Sequence, residues 1–120
     1  MAKEPAKEYM RRVSWHALGI RAILGFMHSE LTLEQIRLLD ASHQRFLDAL
    51  DALEDAVEES TEDCAERFVA LEDSRLALID QFSIVEAGLS SLWEESIARL
   101  KADFVGVHHN CTQAKAVLCI

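Results

Sequence analysis

An all-α fold, an antiparallel up-down-up-down four-helix bundle with a heptad-patterned core, is what this sequence predicts. Three observations carry that expectation: a repeated apolar spacing, a composition nearly free of helix breakers, and capping signals between the repeats. Four stretches place apolar residues alternately three and four positions apart. The first runs Met10, Val13, Ala17, Ile20, Leu24, Met27, Leu31, and the second Ile36, Leu39, His43, Phe46, Leu50, Leu53, Val57. The third runs Cys64, Phe68, Leu71, Arg75, Leu78, Phe82, Val85, Leu89, and the fourth Trp93, Ile97, Leu100, Phe104, Val107, Cys111, Ala114, Leu118. A period of about 3.5 keeps each series on one seam of an α-helix. One proline and four glycines among 120 residues, half of them apolar, suit long helices and leave too few turn residues for an all-β chain.

The first helix is expected over about 5–28, opening at Pro5, because proline is tolerated in a first turn. Thr32-Leu33-Glu34-Gln35 is a capping-box pattern and starts the second helix, 32–59. Ser60-Thr61-Glu62-Asp63 offers the next N-cap, with acids favourably placed in a first turn. The third helix, 62–87, stops at Gly88. Ser91-Leu92-Trp93-Glu94 is a second capping box for the fourth, 91–118, which carries Gly106 in its last third. Each helix of about 25 residues would span about 38 Å, and the whole of 1–120 reads as one helical-bundle domain. The joint at Ser60 lacks a breaking residue. A single long helix from Thr32 to Ala87, forcing a swapped dimer, is therefore the alternative to the preferred hairpin.

No membrane attachment is expected. Basic residues precede the apolar run Ala17–Met27, but Arg21 interrupts it, no cleavage site follows, and it is too short to span a bilayer. Cys119 does not form a prenylation box. The three cysteines show no paired spacing, so neither a disulfide framework nor a zinc site is signalled, and a reducing cytoplasm is the simplest setting.

Two residues break the apolar seams: His43 and Arg75. With the seams aligned antiparallel, Arg75 shares a layer with Ile20, Phe46 and Phe104, and His43 lies in the next. These buried polar positions read as a device fixing helix register, with Glu72, Asp40 and Asp103 as candidate partners for the guanidinium. The alternatives are a guanidinium that reaches to solvent and a ligand site. A second group, His16, Glu72 and His108, flanks the seams in one further layer and supplies metal-ligand types on three helices. The Glu-x-x-His pairs of di-iron bundles are missing, so these three are candidates for a metal only in an alternative reading. No cofactor is called for.

The first helix carries a second apolar face, Trp15, Leu18, Ala22 and Phe26, nearly opposite its seam, where a bundle helix should be polar. That face is the expected interface of a homodimer, with a different protein partner as the alternative. Charge is also uneven. Between Asp48 and Glu66 lie nine acids and no lysine or arginine, equal to the whole net charge of −9. Its central members, Asp51, Glu54, Asp55, Glu58, Glu59, Glu62 and Asp63, form an acidic patch near the start of the first helix. Lys3, Lys7, Arg11 and Arg12 could neutralise it there, or it could receive a basic protein. The sign of the field disfavours direct nucleic-acid binding.

No motif supplies a positioned nucleophile, acid or base, so an enzyme is not expected. The functional expectation is a small acidic protein–protein interaction module, homodimeric through the first helix. A metal- or small-ligand-binding bundle and an acidic inhibitor imitating nucleic-acid charge are the alternatives.

Overall fold

The computed structural model describes residues 4–59, 61–86, 93–108 and 114–116. Regular structure among them is helical throughout: α1 (Glu4–Met27), a 3₁₀ turn (His28–Glu30), α2 (Leu33–Glu59), α3 (Cys64–Glu86) and α4 (Glu94–His108). Residues 114–116 are also helical. The molecule measures 44 × 23 × 18 Å. Its long dimension matches α2, whose 27 residues span about 40 Å at the helical rise.

α3 is the central element. It packs most extensively against α2 and also against α4, while α1 lies against α4 with a lighter contact to α2. The two-sided contact explains its pattern of burial, which runs from Ser74 on one edge of the helix to Glu72 and Ile79 on the other. At 100° per residue these limits enclose about 160° of the circumference, wider than a single seam. Phe46, Phe68, Phe82, Leu39, Leu53 and Leu71 are among the side chains fully enclosed between the helices. Each described position of the four apolar seams is buried or half-buried.

The links between helices follow local chemistry. At Thr32 the capping box forms in both directions. The Gln35 N–H donates to Thr32 Oγ1 at 3.1 Å, and the Thr32 N–H donates to Gln35 Oε1 at 2.9 Å. Before it, the 3₁₀ turn closes through Leu31 N–H to the His28 carbonyl, and Leu31 is extended.

Between α2 and α3 the chain turns back, as a hairpin and not as one continuous helix. The Thr61 N–H reaches the Ala56 carbonyl at 3.1 Å, and the Asp63 carbonyl accepts the first helical bond, from Arg67 N–H at 3.0 Å. α3 therefore starts at Cys64, two residues later than the spacing predicts, because Asp63 takes the capping position. Its carboxylate accepts from Thr61 Oγ1 at 2.6 Å and Arg67 Nε at 2.8 Å. These donors hold the Asp63 carboxyl below its ordinary pKa. Arg67 Nη1 also donates to the Ala52 carbonyl at 2.9 Å, pinning α3 to α2.

Gly88 and Ser91, the expected stop of the third helix and cap of the fourth, lie outside the described residues, as do Cys111 and Cys119. Cys64 is buried and disulfide-bonded, which corrects the expectation of unpaired thiols. Spacing along the chain cannot report which cysteines meet in space. Among the described residues no helix is long and apolar enough to cross a membrane.

Two measurements check this description. Removing the cap with Thr32→Ala should cost about 1 kcal/mol in chemical denaturation. Peptide mapping after alkylation should find Cys64 unmodified unless the protein is first reduced.

Candidate functional site

Arg75 occupies a core position of α3 and is 1 % exposed. A guanidinium there requires compensation, because an isolated buried charge is very costly. One turn earlier on the same helix, Glu72 supplies it. Arg75 Nη1 donates to both carboxylate oxygens, at 2.8 and 2.9 Å. The i,i+3 spacing makes the pair local, so α3 carries its own neutralised charge into the core. The guanidinium also lies over the Phe104 ring of α4, 4.8 Å from its centroid, a cation–π contact strengthened by desolvation.

Three side chains from neighbouring helices complete the cluster. The Tyr9 hydroxyl of α1 donates to Glu72 Oε1, and its ring stacks on Phe68 at 4.9 Å. His108 of α4 donates from Nδ1 to Glu72 Oε2 at 2.7 Å, and its ring stacks on Phe104 at 5.2 Å. His16 of α1 is buried, and its Nε2 lies 3.1 Å from the Leu100 carbonyl. A carbonyl only accepts, so that nitrogen carries the proton. Nδ1 is then the acceptor facing Arg75 Nη2 at 3.5 Å. Burial, and next the Arg75 charge, push the His16 pKa below its ordinary 6.5. The cluster thus joins α1, α3 and α4 through one carboxylate and one guanidinium.

This arrangement brings together His16, Glu72 and His108, the three residues expected in one layer, with Arg75 among them. It gives them a different chemistry from a metal centre. The His16 acceptor nitrogen faces a cation, and each Glu72 oxygen already accepts two donors. Among the described residues no set of three or more His, Cys, Asp or Glu is arranged to hold a metal ion. Of the three candidate partners for Arg75, Glu72 makes the ion pair.

His43 stands elsewhere. It is half-buried in a cavity of about 510 Å³ between α1 and α2, with Arg21, Leu24, Asp40 and Gln44 among the lining residues. Its Nε2 is enclosed without a hydrogen-bond partner among the described residues. Desolvation lowers its pKa, against the opposing pull of Asp40. The side-by-side pairing of His43 with Arg75 expected from the layers gives way to the Glu72 and His16 contacts, which a reach of one turn allows.

Tyr9 is the network member that the seam reading passes over. It lies one turn before Val13 on the buried stripe of α1, and a phenol in that position needs a polar partner. That requirement was the available signal.

Two surfaces flank the network. On α1, Trp15, Leu18 and Phe26 are 68 %, 57 % and 73 % exposed, and Ala22 between them is exposed as well. Beside Trp15, a groove of about 550 Å³ runs between α1 and α4, floored by His16 and Leu100 and bordered by Arg12 and Asp103. The acidic patch is exposed at Asp51, Glu54, Asp55, Glu58, Glu59 and Glu62, and Asp63 is half-buried. Partial burial and the Asp51, Asp55 and Glu58 carboxylates raise the Glu54 pKa. Arg11 and Arg12 both pair with Glu8 on their own helix.

Compared with known proteins, the chain matches no protein-family model, no curated protein and no solved structure.

Truncating one partner of the buried pair should be far worse than replacing both. Glu72→Leu is expected to cost about 3–5 kcal/mol in urea denaturation, and adding Arg75→Met should recover most of that loss. Equal stability of the single and double variants would show that the pair is not coupled.

Proposed function

We propose that this chain is a non-enzymatic interaction module, an up-down-up-down four-helix bundle with a heptad core that dimerises through the outer face of α1. The observation that carries the reading is the exposed apolar stripe Trp15, Leu18, Ala22 and Phe26. It faces away from the buried stripe that includes Val13, Ala17 and Ile20. Large aromatic side chains aligned on one exposed face are characteristic of a surface that another protein covers.

The bundle arrangement draws support from contacts across the α2–α3 and α3–α4 links and from contacts between the α1 and α4 segments. Arg67 meets Ala52, Lys101 meets Glu86, Trp93 meets Glu30, and His16 meets Leu100. Each pairing suits neighbouring helices running in opposite directions. The seam burial suits a heptad core.

A second copy fits the stripe by its own spacing. In an antiparallel pairing about a twofold axis, Trp15 lies opposite Phe26 of the second copy, and Leu18 lies opposite its Ala22. Large meets small at the centre, and aromatic meets aromatic at the flanks, over about 16 Å of helix. The non-enzymatic reading is supported by the polar cluster, in which Arg75, Glu72, His16 and His108 contact one another. The disulfide at Cys64 removes the cysteine argument for a reducing cytoplasm, and the dimer proposal does not depend on compartment.

Light scattering coupled to size-exclusion chromatography should report a dimer for the native chain and a monomer for Phe26→Asp, with unchanged helical content. A native chain that stays monomeric at all accessible concentrations would defeat the proposal, as would a Phe26→Asp variant that remains dimeric.

A further inference from the structure

We infer that His16 is an acid-sensitive latch: protonation of its ring releases α1 from α3 and α4 before the α2–α3 hairpin opens. The inference stands on the hydrogen bonds and on the groove above the ring, and is independent of what covers the outer face of α1.

Both ring nitrogens are committed to the neutral form. Nε2–H donates to the Leu100 carbonyl at 3.1 Å, and Nδ1 is left as an acceptor 3.5 Å from Arg75 Nη2. A second proton can go only to Nδ1. It would place an N–H against the N–H of a buried guanidinium and set two cations beside each other at a site of low dielectric. Arg75 cannot withdraw cheaply, because Glu72 holds it through both oxygens. The imidazole must therefore move, and it belongs to α1.

The charged and titratable groups around the ring come from three helices. On α3 they are Arg75, which opposes protonation, and Glu72, which favours it. On α4, Asp103 favours it, and His108 shares the Glu72 carboxylate. On α1, Arg12 borders the groove, and Tyr9 donates to Glu72. Burial and Arg75 outweigh the carboxylates, so the folded protein binds a proton at His16 less readily than the unfolded chain. The sign follows by linkage: the stabilisation is complete above the unfolded value of 6.5 and is lost progressively as pH falls below it.

The surroundings suit a local release. The groove between α1 and α4 brings solvent to the His16 side of the helix, so the proton need not cross the core. α1 is held chiefly against α4, with a lighter contact to α2. α2 and α3 share the most extensive packing, to which His16 contributes nothing among the described contacts.

Three readings on the full chain test this. Imidazole NMR should show His16 titrating below 6.5; a midpoint at or above that value would overturn the proposal. Melting temperature should fall by several degrees between about pH 7.5 and about pH 5. His16→Gln, whose amide can donate to Leu100 and accept from Arg75 without taking a proton, should remove most of that fall. His43 shifts in the same direction, so His43→Gln is the control and should keep most of it. An acid limb that persists in His16→Gln and vanishes in His43→Gln assigns the effect to the wrong histidine and refutes the latch. Hydrogen exchange of the native chain, corrected for intrinsic rate, should lose protection first in α1 near pH 5. Equal loss across α1, α2 and α3 would refute a local release. If His16→Gln fails to fold, the NMR midpoint and the exchange pattern decide between the outcomes.

Discussion

A guanidinium at a core position of the central helix has to be neutralised where it sits, and most of the polar architecture follows from that requirement. Glu72 is the neutralising group, one turn from Arg75. A carboxylate brought into the interior then has lone pairs to satisfy, and Arg75 alone cannot fill them. Tyr9 from α1 and His108 from α4 supply the remaining donors. The far side of Arg75 in turn requires an acceptor or a π face. His16 and Phe104 provide one of each. Each group answers a need created by the previous one, and the chain of needs passes through three helices. Sliding α1 or α4 by one turn along α3, about 5.4 Å, would break several of these contacts together.

Such a cluster is a poor source of net stability. Desolvation of two charges offsets much of their attraction, and an apolar replacement of similar volume is often at least as stable. The free energy that holds the helices together comes instead from the enclosed apolar side chains, Phe46, Phe68 and Phe82 among them, each fully buried large side chain being worth about 1.5–3 kcal/mol. Apolar seams made of leucine and phenylalanine tolerate several alignments, because one layer resembles the next. A directional cluster does not. The two sets of contacts therefore differ in kind: the seams bury apolar surface, and Arg75 with its partners makes directional contacts that a shift of one turn would break.

That division also explains which parts were legible in the sequence. Periodicity reports which side of a helix is inward, so the seams and the outer stripe of α1 could be read directly. Short-range hydrogen bonds recur with fixed spacing, so the Thr32–Gln35 cap was readable too. Alignment of layers brought His16, Glu72 and His108 to one level, but it could not say that Arg75 lies among them. A long side chain reaches a turn or more away from its own Cα, and layers are counted in Cα positions. The same reach took Arg75 away from His43. Competition among adjacent caps is similarly invisible, since Ser60, Thr61 and Asp63 are all good N-cap types and the bonds that favour Asp63, from the Arg67 N–H to its carbonyl and from Thr61 and Arg67 to its carboxylate, form only in the fold. Disulfide pairing depends on distance in space, so Cys64 could not be read from chain spacing.

α1 is where the two kinds of constraint meet. Its inner face presents Tyr9 and His16 to the charged cluster, which determines where along α3 and α4 the helix can sit. Its outer face presents Trp15, Leu18 and Phe26 to solvent, and their positions follow rigidly from the seating of the inner face. Residues 15 and 16 are adjacent, so a group that titrates at the core and a group exposed at the surface are one peptide unit apart. Any rotation of α1 that relieves His16 also swings Trp15 and reshapes the groove that both residues line. The protonation state of a single buried imidazole is thereby coupled, through the rigidity of one helix, to the geometry of the exposed apolar face of α1.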